Sequence, residues 1–593
     1  MHFHKLLGGL VPLVSLATCA PTDATAAVSH NQCAHARWTR GFDVHTDWEE
    51  RWPITGKTHI YNFEITEVDE FVGPDGVAKH NAMLINGGYP GPEIKVNWGD
   101  RIDVTVTNKL EFNGTSIHWH GFHQVNSNTM DGVSGVTECP IPPGGSKKYS
   151  FIATQYGTSW YHSHISSQYT NGIVGTIQVD GPSSYPYDTD LGTFPISDWY
   201  YDTADHIVTR MMDPTNPFRP GVPGSPPPSD NLLFNGKNIN PLGPGGEYAK
   251  VKLAAGKRHR LRLINTSADN TFSISIVGHT MTVISADFVP VVPYPTDQIY
   301  IAVGQRYDVI IEANQPAGAY WMNATFAASG LCGTSCNPHP AAIVTYEGTD
   351  ENALPTNPGT PPVDTYCSDD LPLQPVIDRS APATTFTGTP KDTLSVSLEV
   401  RDDISKVFWE VNGKPVDVLW EKPTLQYVVE GNLTFPDNAN IIELPEDNEW
   451  SFWVIQNVSP IPHPMHLHGH DFLILGRSDA LPDPANATSP ILFNPATDAA
   501  LLKYERPLRR DTTMLPGFGW LVIAFRSNAN PGAWNFHCHI PWHMSQGLSV
   551  KFLERPDKIA SVMDLDYIRP NCESWKTYAP TDRYAKLDSG LRV

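Results

Sequence analysis

The chain is short of charge, and of positive charge above all. Lys and Arg number 41 against 63 Asp and Glu, leaving a net charge of −22 over 593 residues, of which only 18% are charged. Binding a phosphate backbone needs Lys and Arg to neutralise it, so a nucleic-acid role is excluded. The excess acid serves solubility and names no substrate. Long apolar runs are also lacking: beyond the N-terminus no stretch is long enough to span a bilayer, so no membrane anchor is expected. The early run LLGGLVPLVSLA follows His4 and Lys5, contains Gly and Pro, and precedes small residues in TCA and ATAA. It reads as a secretory signal peptide over residues 1–20, which predicts a secreted, extracellular protein. Cysteine is scarce at eight residues. Cys19 leaves with the signal, and the odd remainder puts at least one thiol outside any disulfide. Cys538 is the candidate. N-x-S/T sequons at Asn113, Asn265, Asn323, Asn432, Asn457 and Asn486 predict glycosylation.

Helical periodicity is scarce as well. RIDVTVTNKL, KKYSFIATQ, TIQVD, YDVIIEA, AYWMNATF, WSFWVIQNV and WLVIAFRS read instead as strands bounded by Gly, Pro, Asn or Asp. The 53 prolines and 45 glycines suit many short strands joined by turns. Composition divides the chain into an N-terminal segment (21–49), β-rich units over 50–180, 181–355 and 376–570, a Pro- and Thr-rich linker (356–375) and a tail (571–593). The outer units repeat one another. WYHSHISSQYTNGIVGTIQV from Trp160 echoes WNFHCHIPWHMSQGLSVKF from Trp534, and HWHGFH from His118 echoes HLHGHDF from His466. The middle unit keeps counterparts at Tyr320 and Gly278, but the motif histidines are almost gone from it. Motif order and separation repeat together, which predicts one β-sandwich used three times.

Histidine, by contrast, is concentrated. The motifs are HWH (His118, His120), HSH (His162, His164), HPMHLH (His463, His466, His468) and HCHIPWH (His537, Cys538, His539, His543). In a strand, residues i and i+2 face one side, so each HxH presents two imidazoles to one place. Four such pairs bring eight imidazoles to one cluster between the first and third units. Cys538, flanked by two of them, points to the opposite face, where His463 and His543 can join it. Two His and one Cys without a strong axial donor make a blue-copper site. The axial position falls on Leu548, which cannot donate, and Met544 is out of register. Structural zinc favours closed, Cys-containing sets of four ligands, which the eight imidazoles do not resemble. His123, His279 and His470 complete no pair of this kind and read as structural or supporting residues.

In this combination the motifs resemble those of the multicopper oxidases, specifically the laccases of ascomycete fungi. HPMHLHGHDF, PLRRDTTMLPGFGWLVIAF, PGAWNFHCHIPWH and the terminal DSGL carry the likeness. The resemblance implies an all-β fold of three consecutive cupredoxin-like Greek-key sandwiches and four copper ions. Type 1 copper would take His463, Cys538 and His543, with Leu548 axial. Type 2 would take His118 and His466. The type 3 pair would take His120, His162 and His539, and His164, His468 and His537. Reductants would be oxidised one electron at a time at type 1, with four electrons reducing dioxygen to water at the other three coppers. The implied partners are dioxygen and small phenolic or aromatic reductants, as in lignin degradation, for a monomer. By the same likeness Asp205 would accept a phenol's proton, Trp409 would line the reductant pocket beside His543, and Asp131 would assist proton delivery near type 2. Cys139 with Cys572 and Cys332 with Cys367 would be disulfides. Cys33 lacks its usual mate, since Arg37 stands there, and Cys336 is extra. The tail would plug the channel to the cluster after trimming of Arg592 and Val593. The alternatives are an ascorbate oxidase, a metallo-oxidase, and a copper-binding glycoprotein without turnover.

Overall fold

The computed structural model describes residues 35–581 apart from 221, 362–366, 384–385, 387–391, 447–448, 480 and 482–488. The leader, Cys33, the sequon at Asn486 and the DSGL terminus lie outside the described residues.

Three pairs of sheets follow one another along the chain, each pair with the same wiring. In one sheet of each pair, an early strand runs parallel to a later one. Thr58–Val72 pairs with Arg101–Asn108, Thr189–Trp199 with Arg258–Asn265, and Thr393–Arg401 with Trp450–Asn457. The later strand then pairs antiparallel with Ser146–Ile152, Arg306–Glu312 or Trp520–Arg526. The opposing sheets each hold a parallel pair too: Gly91–Asn97 with Val174–Asp180, Lys250–Leu253 with Ala341–Tyr346, and Ile441–Glu443 with Ser549–Glu554. Parallel neighbours require crossovers between the sheets, and these convert the strand runs into closed sandwiches. The fold is all-β, with three consecutive cupredoxin-like units.

Strand patterning explains the cores. In Arg101–Asn108, Ile102, Val104 and Val106 are fully buried and face one core, while Arg101, Thr105 and Thr107 are half-buried on the other side. Each such aliphatic residue contributes about 1.5–3 kcal/mol on burial. Trp520–Arg526 lacks this alternation because it is covered on both faces. Leu521, Ile523 and Phe525 enter the third sandwich's core, and Trp520, Val522 and Ala524 pack under Phe386, Trp450 and Phe493.

Both disulfides implied by the resemblance are formed, Cys139–Cys572 and Cys332–Cys367. Cys538 is buried and Cys336 exposed, and neither is disulfide-bonded. The segment read as a tail from 571 begins as structure: helix Ile568–Tyr578 buries Cys572 and Trp575 against the first and third units. Two sequons need correction. Asn265 and Asn457 are fully buried, and their amide nitrogens are spent inside the fold. Asn265 donates to the carbonyls of Asn270 and Ile301, both at 2.9 Å; Asn457 donates to Ile461 at 2.7 Å and Pro516 at 3.1 Å. A glycan on either would displace core backbone. Asn113 is also buried, whereas Asn323 is half-buried and Asn432 is exposed.

The Cys139–Cys572 bridge joins residues 433 apart in sequence, tying the C-terminal helix to the first sandwich. Replacing both cysteines by serine should lower stability by about 3–5 kcal/mol, read as an earlier calorimetric unfolding transition. An unchanged transition would mean that helix packing alone holds the two ends together.

Candidate metal centre

The eight clustered imidazoles come from the ends of four strands. His118 lies in Ile117–Trp119, His162 in Gly157–Ser163, His466 in His463–Leu467 and His537 in Gly532–Cys538; His120, His164, His468 and His539 follow just beyond. The first and third units meet through these rings. His118 stacks on His468 and His120 on His466, each with centroids 4.0 Å apart. Donor atoms within 4.8 Å of one another form the sets His118, His120, His466; His120, His162, His539; and His164, His468, His537.

Hydrogen bonds fix which nitrogen faces inward. The Nδ1 atoms of His118 and His466 lie 2.8 Å from the carbonyls of Asp131 and Asp511, and those of His162 and His537 bond the Ser163 and Cys538 carbonyls. His468 Nδ1 lies 2.9 Å from Asp131 Oδ2. These contacts leave Nε2 as the free donor, and the Nε2 atoms of His118, His162 and His466 have no partner. Two opposed pairs, His468 Nε2 with His537 Nε2 and His539 Nε2 with His120 Nδ1, stand 3.1 Å apart. Burial and then neighbouring imidazoles hold His120, His162, His164, His468, His537 and His539 well below the ordinary histidine pKa. These six rings are therefore neutral, and their lone pairs converge with those of His118 and His466. Nitrogens bonded to one metal at about 2.0–2.1 Å stand at about this separation. Asp131 also falls within reach of His118 and His468. Its oxygens meet their Nδ1 atoms, however, so it orients the rings from outside rather than joining the inward-facing set.

On the opposite face of the last strand, Cys538 Sγ lies 3.5 Å from His463 Nδ1 and 3.7 Å from His543 Nδ1, and the two nitrogens are 3.2 Å apart. Helix Pro541–Ser545, with proline at its start, carries His543 back over the thiol. Burial pushes the His543 pKa down to about 3 and drives the Cys538 thiol upward. A bound metal would ionise that thiol outright. Leu548 is fully buried in the same core and supplies no donor, and Met544 lines a cavity on the side of His162, His164 and Tyr169. One thiolate with imidazoles, and eight imidazoles without carboxylate among them, fit copper.

The middle unit gives the cluster no imidazole, yet it braces it. Arg306 pairs through both terminal nitrogens with Asp511, at 2.8 and 2.7 Å, and Asp511 Oδ1 lies 3.2 Å from His120 Nε2. Arg510 pairs twice with Asp287, both contacts at 3.0 Å, and Asp287 accepts the Arg306 backbone N–H. All four charges are fully buried. Although burial opposes it, the Arg306 guanidinium holds the Asp511 carboxyl well below its usual range. Close approach requires glycine at two points. A Cβ on Gly304 would sit 3.1 Å from His120 and His539 carbons, and one on Gly121 would sit 2.5 Å from both Arg306 Nη2 and Asp511 Oδ2. Sequence reading missed this network. Its traces are the charged GQRYD and RRD runs inside otherwise apolar strands.

Comparison with known proteins agrees with this geometry. The chain matches the multicopper oxidase family over residues 68–184, 190–349 and 411–558. The chain belongs to the multicopper oxidases. It is of the laccase type, being 52% identical over 581 residues to Laccase-2 of Podospora anserina, a match covering 97% of this chain and 91% of that one. It is 51% identical to Laccase-1 of Melanocarpus albomyces, covering 96% and 90% of the two chains. The crystal structure of a laccase from Botrytis aclada superposes with a TM-score of 0.82 at 35% identity, covering 94% and 98%. That of Fet3p, a multicopper oxidase that functions in iron import, gives 0.76 at 29%, covering 88% and 95%.

In this multicopper oxidase a solvent-open pocket lies beside His543, lined also by Arg219, Asp269, Gly330, Leu331 and Ile461. Its acid is Asp269, not Asp205. Asp205 sits in the first turn of helix Ala204–Met211, capped by Thr203, where it suits the helix dipole and adds to the charge around Glu67. Asp269 is 7% exposed, and burial followed by the Asp198 carboxylate raises its pKa to about 8. Asp198 accepts the backbone N–H groups of Ala268, Asp269 and Asn270 at 2.7–3.0 Å, fixing the loop that presents Asp269. Trp409 is fully buried and does not line the cavity; it packs behind the imidazoles of His463 and His543, with centroids at 4.5 and 4.7 Å. His279 bonds the Tyr346 hydroxyl, while His123 and His470 face Asp471 and Glu554 at 3.3 and 3.0 Å, and His470 Nδ1 bonds the His468 carbonyl, bracing that ring's backbone from outside.

Arg306→Met would leave Asp511 buried without its cation, at a cost of about 3–5 kcal/mol. The expected outcome is a lower unfolding temperature together with reduced copper per chain by elemental analysis. Full copper loading would show that the brace is dispensable.

Proposed function

We propose that this laccase-type enzyme is a secreted, monomeric oxidase that takes electrons singly from phenolic and related aromatic reductants and passes them to dioxygen, forming water. The observation that carries this reading is the position of Cys538. Its thiol faces His463 and His543, while its two covalent neighbours belong to the eight-imidazole cluster. His463, Cys538 and His543 would hold one copper. His118 with His466, His120 with His162 and His539, and His164 with His468 and His537 would hold three more. Copper there supplies the one-electron oxidant on one side of the strand and the dioxygen-reducing centre on the other.

The protein's own residues do the rest. His543 forms the cavity wall through which a reductant comes near the first site, and Asp269 stands beside it to accept the proton a phenol loses on oxidation. Asp131 and Asp511 hold imidazole orientation, and Asp131, beside His118 and His468, can assist proton delivery to the cluster. Every proposed ligand comes from one chain, which supports a monomer. The apolar leader and the two disulfides support export. Among the described sequons, the exposed Asn432 and half-buried Asn323 support glycosylation there. The cavity sets one carboxylate against one guanidinium, which favours an organic reductant over a metal cation. Oxygen uptake with a phenol, ascorbate and Fe(II) separates the laccase from the other oxidases, and a non-catalytic copper protein would consume none.

Asp269 accepts a proton only when ionised. Turnover of a phenol should therefore rise with pH along a limb approaching about 8, before any loss at higher pH. In Asp269→Asn that limb should vanish, and kcat/KM for the phenol should fall about 10²-fold. A non-phenolic electron donor that releases no proton should show no such limb in either protein. A phenol profile unchanged in the variant would remove Asp269 from the reaction.

A further inference from the structure

The loop between helix Ala204–Met211 and strand Asn231–Phe234 places a cation at the reductant cavity. Asn216, fully buried, organises this loop from its centre. Its amide nitrogen donates to the carbonyls of Val222 and Ser225, at 2.7 and 2.9 Å, and its oxygen accepts the backbone N–H groups of Phe218 and Arg219, at 3.1 and 3.2 Å. Pro217 and Pro220 stiffen the backbone around Phe218 and Arg219. Arg219 is thereby delivered into the cavity lining with Asp269 and His543. Its Nη1 donates to the carbonyl of Gly330, another lining residue, at 3.3 Å. Among the described residues it makes no ion pair, so the guanidinium edge beyond the Gly330 contact can meet a ligand. Asp269 feels its charge through space. In a chain of net charge −22 this guanidinium is a local exception that an anion entering the cavity would meet.

The pocket wall thus carries an imidazole, a carboxylate and a guanidinium together. His543 and Asp269 define where the phenolic hydroxyl goes. A guanidinium binds a carboxylate through paired, charge-assisted hydrogen bonds. We propose that Arg219 is a specificity-determining residue that selects phenols bearing a ring or side-chain carboxylate, the hydroxybenzoates and hydroxycinnamates. The inference rests on the laccase reading above and narrows its substrate class. The reaction is unchanged in kind. The phenolic O–H bond breaks, its proton goes to Asp269, and one electron enters the oxidase to be returned to dioxygen. The phenoxyl product leaves with its carboxylate intact.

The test compares 4-hydroxy-3,5-dimethoxybenzoate with its methyl ester in the copper-loaded full chain, in Arg219→Gln and in Arg219→Lys, each checked for its copper absorption. The readout is the ratio of kcat/KM for acid to that for ester. It should fall about tenfold in Arg219→Gln, mainly through KM, as expected for loss of one charge-assisted contact, and recover in part in Arg219→Lys. Added salt should lower the ratio in the parent protein and leave it level in Arg219→Gln. A ratio equal within twofold in all three proteins, with the ester oxidised normally, would overturn the role of Arg219 and leave the laccase reading standing. Absence of oxygen uptake with either compound in the parent protein would overturn both.

Discussion

A strand turns successive side chains to opposite faces, and at the end of Gly532–Cys538 this alternation separates two kinds of chemistry by one residue. The thiol of Cys538 faces two imidazoles on one side. His537 and His539 face six more on the other. No rearrangement of loops could divide them so closely, because the division is made by backbone geometry. The rest of the molecule serves to hold partners against each face. The first sandwich supplies His118, His120, His162 and His164, and helix Pro541–Ser545 folds His543 back onto the thiol.

Bringing neutral, desolvated imidazoles together from two sandwiches is unfavourable without something to hold them. Part of the answer is ring stacking across the interface, His118 on His468 and His120 on His466. The rest is the middle sandwich, which lacks the HxH pairs but inserts Arg306 against Asp511 and receives Arg510 on Asp287. A buried pair of this kind adds little stability over an apolar substitute, but it is specific about register. That suits a site whose ligands lie in two units. The reductant side is built on the same plan: Asp198 gathers three backbone N–H groups and so fixes the loop bearing Asp269 beside His543.

Much of this was legible in the chain itself. The HxH motifs obey strand periodicity, so His118 with His120 or His537 with His539 could be paired without coordinates, and the echo of WYHSHI in WNFHCHI exposed the repeated sandwich. Trp520–Arg526 could be read as a strand from its β-branched and aromatic content even though burial on both faces erased its alternation. Residues that act across long sequence separations were not legible. Arg306 and Asp511 meet only through the tertiary fold. Asp269 resembles any loop acid until Asp198 is seen beneath it, so the sequence alone points to Asp205 and not to Asp269. Sequons showed the same limit: Asn265 and Asn457 satisfy the pattern but sit inside the core, where their amides bond backbone carbonyls.

The central claim is that one chain holds one copper at Cys538 and three at the flanking imidazoles. Anomalous diffraction from crystals of the purified enzyme, recorded on both sides of the copper absorption edge, tests it directly. The account predicts four copper peaks per chain: one between Cys538 Sγ and the Nδ1 atoms of His463 and His543, and three among the eight remaining imidazoles. A peak at Cys538 that follows the zinc edge, or a cluster holding no copper between the first and third sandwiches, would contradict it.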